Sequence, residues 1–173
     1  MYWYVLFVQT GQEYKVEQFL KKRLDTGIFV PFVPLQEILF KTNGTLKKER
    51  MPLFPGYVFI ESEVTDLEFR KKISTLICDS RNIISILKYS DTEIAMREHE
   101  RQVLLGLSNN NNCVELSSVF IEGDRIQIIG GPLKGMDSVI KKVNRHKRQV
   151  WIEIEFMGCK RLFRMGFEIV EKC

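Results

Sequence analysis

The chain has 173 residues, with 26 Lys+Arg against 22 Asp+Glu for a net charge of +4. Its 45% apolar and 28% charged residues exclude a wholly disordered polypeptide and accommodate one domain or two small ones. The most apolar stretches, such as Val30–Phe40, are broken by Gln36, Glu37 or Lys41, well short of the roughly 20 residues that span a bilayer. Tyr2–Val8 has no basic lead and runs into Gln9-Thr10-Gly11, unlike a secretory signal, so a cytoplasmic protein without membrane association is expected. The cysteines, Cys78, Cys113, Cys159 and Cys173, lie outside metal-ligand spacing of one another, and the histidines are His99 and His146. Reduced thiols and no metal or other cofactor are the expectation.

The aromatic and β-branched run Tyr2–Val8 is too short for a helix and predicts a buried strand. After Thr10-Gly11 the period changes: Tyr14, Val16, Phe19, Leu20 and Leu24 fall near helical spacing, and Gly27 ends the pattern. Phe29–Phe40 reads as extended, with Pro31 and Pro34 unsuited to a central strand. Asn43-Gly44 predicts a hairpin turn returning through Leu46–Met51, with Lys47, Lys48 and Arg50 as a basic group beside it. Pro52 and Pro55 frame a connection into a strand over Tyr57–Glu61. Asp66 is placed as the cap of a helix over Leu67–Leu76, Ile83–Leu87 as a strand, and Asp91/Thr92 as caps of a third helix reaching about Leu107.

Ser108 and Asn109–Asn112 form a polar stretch expected to link two domains, with the first over residues 1–107, the linker over 108–118 and the second over 119–173. Beyond it the helical period disappears. Val119–Ile121, Arg125–Ile129, Ser138–Val143, Gln149–Phe156 and Leu162–Met165 alternate with Gly-rich or polar turns, the pattern of a small five-stranded β-barrel. The fold class expected is α+β: an N-terminal antiparallel sheet with helices, then a barrel of the SH3-like kind.

Charge divides unevenly between these parts. Residues 1–108 hold 15 basic and 14 acidic residues, whereas residues 113–173 hold 11 and 8. Lys141–Arg148 carries five formal positive charges and no acid. Such a run is either a solvated face or a phosphate-backbone contact, and composition leaves both open. Gly130–Gly135 has the glycine spacing of a phosphate loop, but Met136-Asp137 follows where Lys-Ser/Thr is required. No nucleophile–base pair stands out, and an enzyme is not expected.

Several fragments, in this order and spacing, resemble the NusG family of transcription elongation factors, which join an NGN domain to a KOW barrel. They are Trp3-Tyr4-Val5, Thr10-Gly11-Gln12-Glu13, Phe32-Val33-Pro34 and Phe54-Pro55-Gly56-Tyr57-Val58-Phe59, then Gly123–Ile128, Gly131-Pro132-Leu133-Lys134-Gly135, Val139…Val143 and Val170-Glu171-Lys172. The resemblance spans nearly the whole chain. It implies a monomeric protein whose NGN domain sits on the clamp helices of RNA polymerase and suppresses pausing. Tyr57 and Phe59 match aromatic positions used against those helices, on a turn shaped by Phe54, Pro55 and Gly56. The residues themselves also admit a core role for Tyr57 and Phe59, which share one strand face.

Departures from the family pattern point to a branch. Ser138 stands where a KOW glycine is usual, Met157 replaces the aromatic used against a ribosomal protein, and Arg164 replaces an acidic residue. Together with Lys160 and Arg161, this looks most like the LoaP branch of processive antiterminators, which recognise an RNA hairpin in the nascent leader. The RNA-binding residues so implied are Lys134, Lys141, Lys142, Arg145, His146, Lys147, Arg148, Lys160, Arg161 and Arg164. The alternative is a general elongation adaptor whose KOW domain docks termination or ribosomal proteins. Glycines, Pro132 and period-two apolar residues over Val119–Val170 predict a stable barrel rather than a helical hairpin.

Overall fold

The structure, a computed structural model, describes residues 1–172, with side chains described through Val170. It is an α+β protein that packs as two compact units, one built from Met1–Pro34 and Phe54–Gln102, the other from Leu35–Leu53 and the chain from Val103 onward. Cys173, and any role of its thiol, lies outside the described residues. No helix among the described residues is long and apolar enough to cross a membrane.

The first unit is a four-stranded antiparallel sheet in the order β2 (Phe29–Phe32), β5 (Tyr57–Ser62), β1 (Tyr2–Val8), β6 (Ile83–Ile86). The central position of β1 explains its unbroken apolar run, since both of its faces are covered. On one face Tyr4 and Leu6 lie opposite Ile60 and Val58, and the Tyr4 ring stacks at 3.8 Å on Phe69 of α2 (Asp66–Asp79). Buried Val16 and Leu20 are the inner stripe of α1 (Glu13–Arg23), whose Lys21, Lys22 and Arg23 complement the helix dipole. On the other face Trp3, Phe32, Phe54 and Phe59 form an aromatic cluster with ring centroids 5.2–5.8 Å apart. Pro31 sits in β2, an edge strand, where its missing N–H costs no ladder bond.

Two expectations here are corrected. The cap of α2 is Thr65, not Asp66: Thr65 and Glu68 form a reciprocal capping box, and the Thr65 N–H holds the Glu68 carboxyl below its ordinary range. Asp66 instead accepts from the Tyr4 hydroxyl at 3.2 Å and the Ile94 amide at 2.9 Å. Burial, with Asp66 beside it, pushes the Tyr4 phenol well above its ordinary range, so it stays a donor to the Val64 carbonyl and to Asp66. The second correction follows from the first. The third helix does not begin at Asp91/Thr92; α3 spans Glu98–Leu107. Ile94 is held by Asp66, the Ser90 hydroxyl accepts from the amides of Thr92 and Glu93, and the Met96 amide donates to Trp3 O. Of these donors, the Met96 amide is the one that a helix started at residue 91 or 92 would direct to the Thr92 carbonyl, and Trp3 takes it instead.

The second unit joins a three-stranded sheet, β4–β3–β7, to a five-stranded sheet, β10–β11–β12–β8–β9. The Asn43-Gly44 turn closes the hairpin of β3 (Leu35–Thr42) and β4 (Thr45–Pro52), in full register from Leu35↔Pro52 to Thr42↔Thr45. The Asn109–Asn112 stretch is an ordered turn in which the Asn109 side chain accepts from the amides of Asn111 and Cys113. It leads into β7 (Cys113–Val114), parallel to Leu35–Gln36 of β3. Burial pushes the Cys113 thiol up, making it a small inert core group. The larger sheet comprises β8 (Ser117–Glu122), β9 (Arg125–Gly130), β10 (Ile140–Asn144), β11 (Gln149–Phe156) and β12 (Cys159–Lys172), curled as half a barrel. Asp137–Val139 forms a 3-10 turn, so β10 starts two residues later than the expected Ser138.

Strand β3 crosses β12 at Gly166. A Cβ there would lie 2.8 Å from the Glu37 carbonyl and 3.1 Å from the Ile38 Cα, so only glycine lets the two backbones meet. Met51 of β4 receives the Arg164 guanidinium at 3.7 Å, a second tie between hairpin and sheet.

Removing the capping hydroxyl tests the corrected start of α2. Thr65→Ala is expected to lower unfolding stability by about 1 kcal/mol, read as a lower urea midpoint with an unchanged slope. Because the Glu68 carboxyl is depressed in the folded chain, its contribution is present above the ordinary carboxylate range and is lost on acidification through the folded value. Glu68→Gln should therefore flatten the acid limb of the stability profile.

Candidate functional site

Each unit carries one distinctive surface. In the first, Phe54-Pro55-Gly56-Tyr57 is a β-turn closed by the Tyr57 amide on the Phe54 carbonyl at 3.2 Å. Proline follows Phe54, and Gly56 has φ +89°, the pattern of a type II turn. A Cβ on Gly56 would meet Thr10 Oγ1 at 3.2 Å, so the site is tight as well as left-handed. The Gly56 carbonyl accepts from Val8 N at 2.8 Å. Its amide donates at 2.7 Å to Glu13 Oε1, which also takes the Gly11 amide at 3.1 Å. Glu13 is 3% exposed, a buried carboxylate satisfied by two backbone donors.

The aromatic positions on this turn separate by burial. Phe54 and Phe59 are 1% and 0% exposed and belong to the cluster with Trp3 and Phe32. Tyr57 is half-buried, its ring 5.6 Å from that of half-buried Phe7, while Pro55 is exposed. Pro55, Tyr57 and Phe7 are thus the accessible members of the turn, and Phe54 and Phe59 are buried. Phe7 was not singled out from the sequence. Its register opposite Tyr57 on β1 is what brings it in, and the alternation of two adjacent strands was the available signal.

In the second unit the predicted basic residues fall into separate places. Arg145–Arg148 form the turn between β10 and β11, with Arg148 at φ +53°. The outer face of the sheet carries a cross-strand row, Lys142↔Trp151↔Arg164. Trp151, half-exposed between two cations, was also missed from sequence; its outward phase with Glu153 and Glu155 along β11 was the legible clue. Arg145 is already engaged, donating to the carbonyls of Gly123 and Asp124 and lying 3.9 Å from the Asp124 carboxylate. Lys141 and Lys160 share a hollow with Glu153 and Glu155, which offset their charge. Arg161 sits 5.4 Å over the Phe156 ring, and Lys134 is exposed in the turn after β9. Met157 is 8% exposed at φ +50° in the β11–β12 turn, a packing residue and not a surface one.

The chain thus combines an α+β sheet carrying an aromatic turn with a curled β-sheet carrying cations beside a tryptophan. Residues 1–105 match the family model described as transcription termination factor nusG. The chain belongs to the NusG family. It is similar to proteins named transcription termination/antitermination protein NusG along nearly its full length. The one from Borreliella burgdorferi is 22% identical over 180 aligned positions, covering 98% of this chain and 97% of the relative. The one from Thermus thermophilus is 24% identical, covering 98% and 97%. The one from Buchnera aphidicola is 25% identical, covering 98% and 95%.

Removing the Glu13 carboxylate tests what holds the aromatic turn. Glu13→Ala strands the buried Gly56 amide, removes the acceptor of the part-buried Gly11 amide, and should cost about 1–3 kcal/mol. Glu13→Gln keeps an acceptor oxygen and should cost less, both read from urea unfolding.

Proposed function

We propose that this chain is a processive antitermination factor, of the LoaP kind, that holds RNA polymerase with one module and a nascent RNA hairpin with the other. On this reading it acts as a monomer, with an NGN module over residues 1–107, a connector over 108–118 and a KOW module over 119–173. The polymerase contact is carried by Pro55 and Tyr57, with Phe7 beside them and Gly56, Phe54 and Phe59 fixing their position. The clamp helices are the partner that family membership suggests, and a rigid half-buried aromatic edge suits an apolar helical surface.

The observation that carries the RNA reading is the Lys142–Trp151–Arg164 row next to the Arg145–Arg148 turn. Cations with an interleaved aromatic supply phosphate attraction and base stacking together. A-form RNA hides its base edges in a deep, narrow major groove, so a hairpin is recognised by backbone shape and by its unpaired loop. Lys141 and Lys160 contribute less than the sequence implied, because Glu153 and Glu155 stand beside them.

The two contacts should separate by mutation. Tyr57→Ala should weaken binding to polymerase by about 1–3 kcal/mol and leave unfolding stability and RNA affinity near wild type. Phe59→Ala should destabilise by about 3–5 kcal/mol, as a core truncation. Equal effects of the two on stability would refute this division.

Affinity of the full chain for a structured RNA should fall with salt, by roughly 0.7–0.9 log units per phosphate contact for each log unit of salt. Lys147→Ala with Arg148→Asn should reduce that slope by one to two contacts' worth (about 0.7–1.8) without touching polymerase binding. Asparagine is chosen because it tolerates the left-handed backbone. A salt-independent affinity, or none at all, would favour the general adaptor whose second module docks proteins.

A further inference from the structure

The β3–β4 hairpin and the β10–β11 turn enclose a cleft with two adjoining lobes of about 280 and 360 Å³, which share Lys41, Leu46 and His146. Its walls carry Lys41 from the hairpin and Lys147, Arg148 and Arg164 from the curled sheet. Among the described residues, no acidic side chain lines either lobe. Glu37 is paired with Lys48 at 3.1 Å, and Asp124 lies 3.9 Å from Arg145. Its apolar lining comes from the hairpin: Leu39 and Leu46 on one strand face and Phe40 on the other. Phe40 and Leu46 are 38% and 40% exposed, unusual for large apolar side chains set among cations.

The hairpin arm is not a loose flap. The Gly166 crossing, the Arg164–Met51 contact and the β3–β7 pairing fix its base against the sheet. Residues 41–50 are all exposed, so the outer half of the arm is open to a ligand.

We infer that this cleft receives unpaired loop nucleotides of the bound RNA, with a base laid on Phe40 and the flanking phosphates on Lys41, Lys147 and Arg148. The inference rests on the RNA-binding reading and deepens it, because it assigns half of the site to a hairpin that the family match places in the first module. A duplex stem would use the cations but leave the apolar lining in water. An unpaired nucleotide uses both. An acidic peptide is the competing occupant, and the test discriminates against it.

The experiment measures binding of the full chain to three labelled probes: a synthetic RNA stem-loop, its stem as a blunt duplex, and its loop as a linear oligonucleotide. Phe40→Ala should weaken the stem-loop and the linear probe by roughly 5- to 150-fold, the range of one lost base stack, and leave the duplex within about 2-fold. Phe40→Tyr should restore affinity. Lys41→Ala should lower the salt slope for the linear probe by about 0.7. Unfolding midpoints of these exposed-site variants, equal to wild type, certify the fold. If Lys147→Ala/Arg148→Asn weakens all probes while the Phe40 and Lys41 variants do not, RNA binding stands and the cleft assignment falls. If the wild-type chain binds none of the probes, the RNA reading itself falls. Displacement of the stem-loop by polyglutamate as readily as by the linear RNA would overturn the choice of occupant.

Discussion

The close approach of β3 to β12 at Gly166 is the constraint on which the second unit depends. Two backbones meet where any side chain would lie within 2.8 Å of the Glu37 carbonyl. The hairpin is thereby fastened to the curled sheet, and everything on its outer arm acquires a fixed position relative to the β10–β11 turn. The same crossing explains why β12 is so long. Its first half pairs with β11, its second half runs parallel to β8, and Gly166 lies between them, where the hairpin lies across the outer face. A larger residue would separate a basic arm from a basic turn and leave two weak charged surfaces.

The first unit solves a related problem with a charge. Its aromatic turn is short, contains proline and a left-handed glycine, and protrudes from the end of a buried strand. Such a turn is rigid only if its backbone donors are satisfied, and Glu13 satisfies two of them from the first residue of α1. Helix start and binding turn are thus one hydrogen-bonded object. A preorganised aromatic edge loses little entropy on docking, so a small patch gains affinity that a mobile loop of equal area would not.

Much of this was legible in the sequence because its causes are local. Asn43-Gly44 dictates a two-residue hairpin, the unbroken apolar run of Tyr2–Val8 dictates a strand covered on both faces, and period-two alternation marks β11 residue by residue. The errors share one cause. Asp66 looks like a cap and Asp91/Thr92 look like another, but Asp66 spends its carboxylate on Tyr4 and Ile94, far along the chain. The candidate site shows the same limit. The Lys141–Arg148 cluster was visible as charge, yet Glu153 and Glu155 share a hollow with Lys141 at one end of it, and Phe40 and Lys41 join the other end only through the Gly166 crossing. Phe54 and Phe59 were legible as aromatic and as alternating with Val58. Which face carries the tight cluster is decided by Trp3 and Phe32 from other strands.

The two turns flanking β11 carry a final physical argument about function. Arg148 and Met157 both adopt positive φ, at +53° and +50°, a conformation in which Cβ crowds the following carbonyl at a cost of about 1 kcal/mol or more. At Met157 the side chain is 8% exposed, so packing offsets the strain. At Arg148 the side chain is only half-buried and lines the cationic cleft, so burial offers no comparable compensation. Asparagine or glycine would make the better turn, as asparagine does at Asn43 and Asn112. On the proposed RNA-binding reading, a phosphate beside Arg148 would offset both the backbone strain and the repulsion among the neighbouring cations.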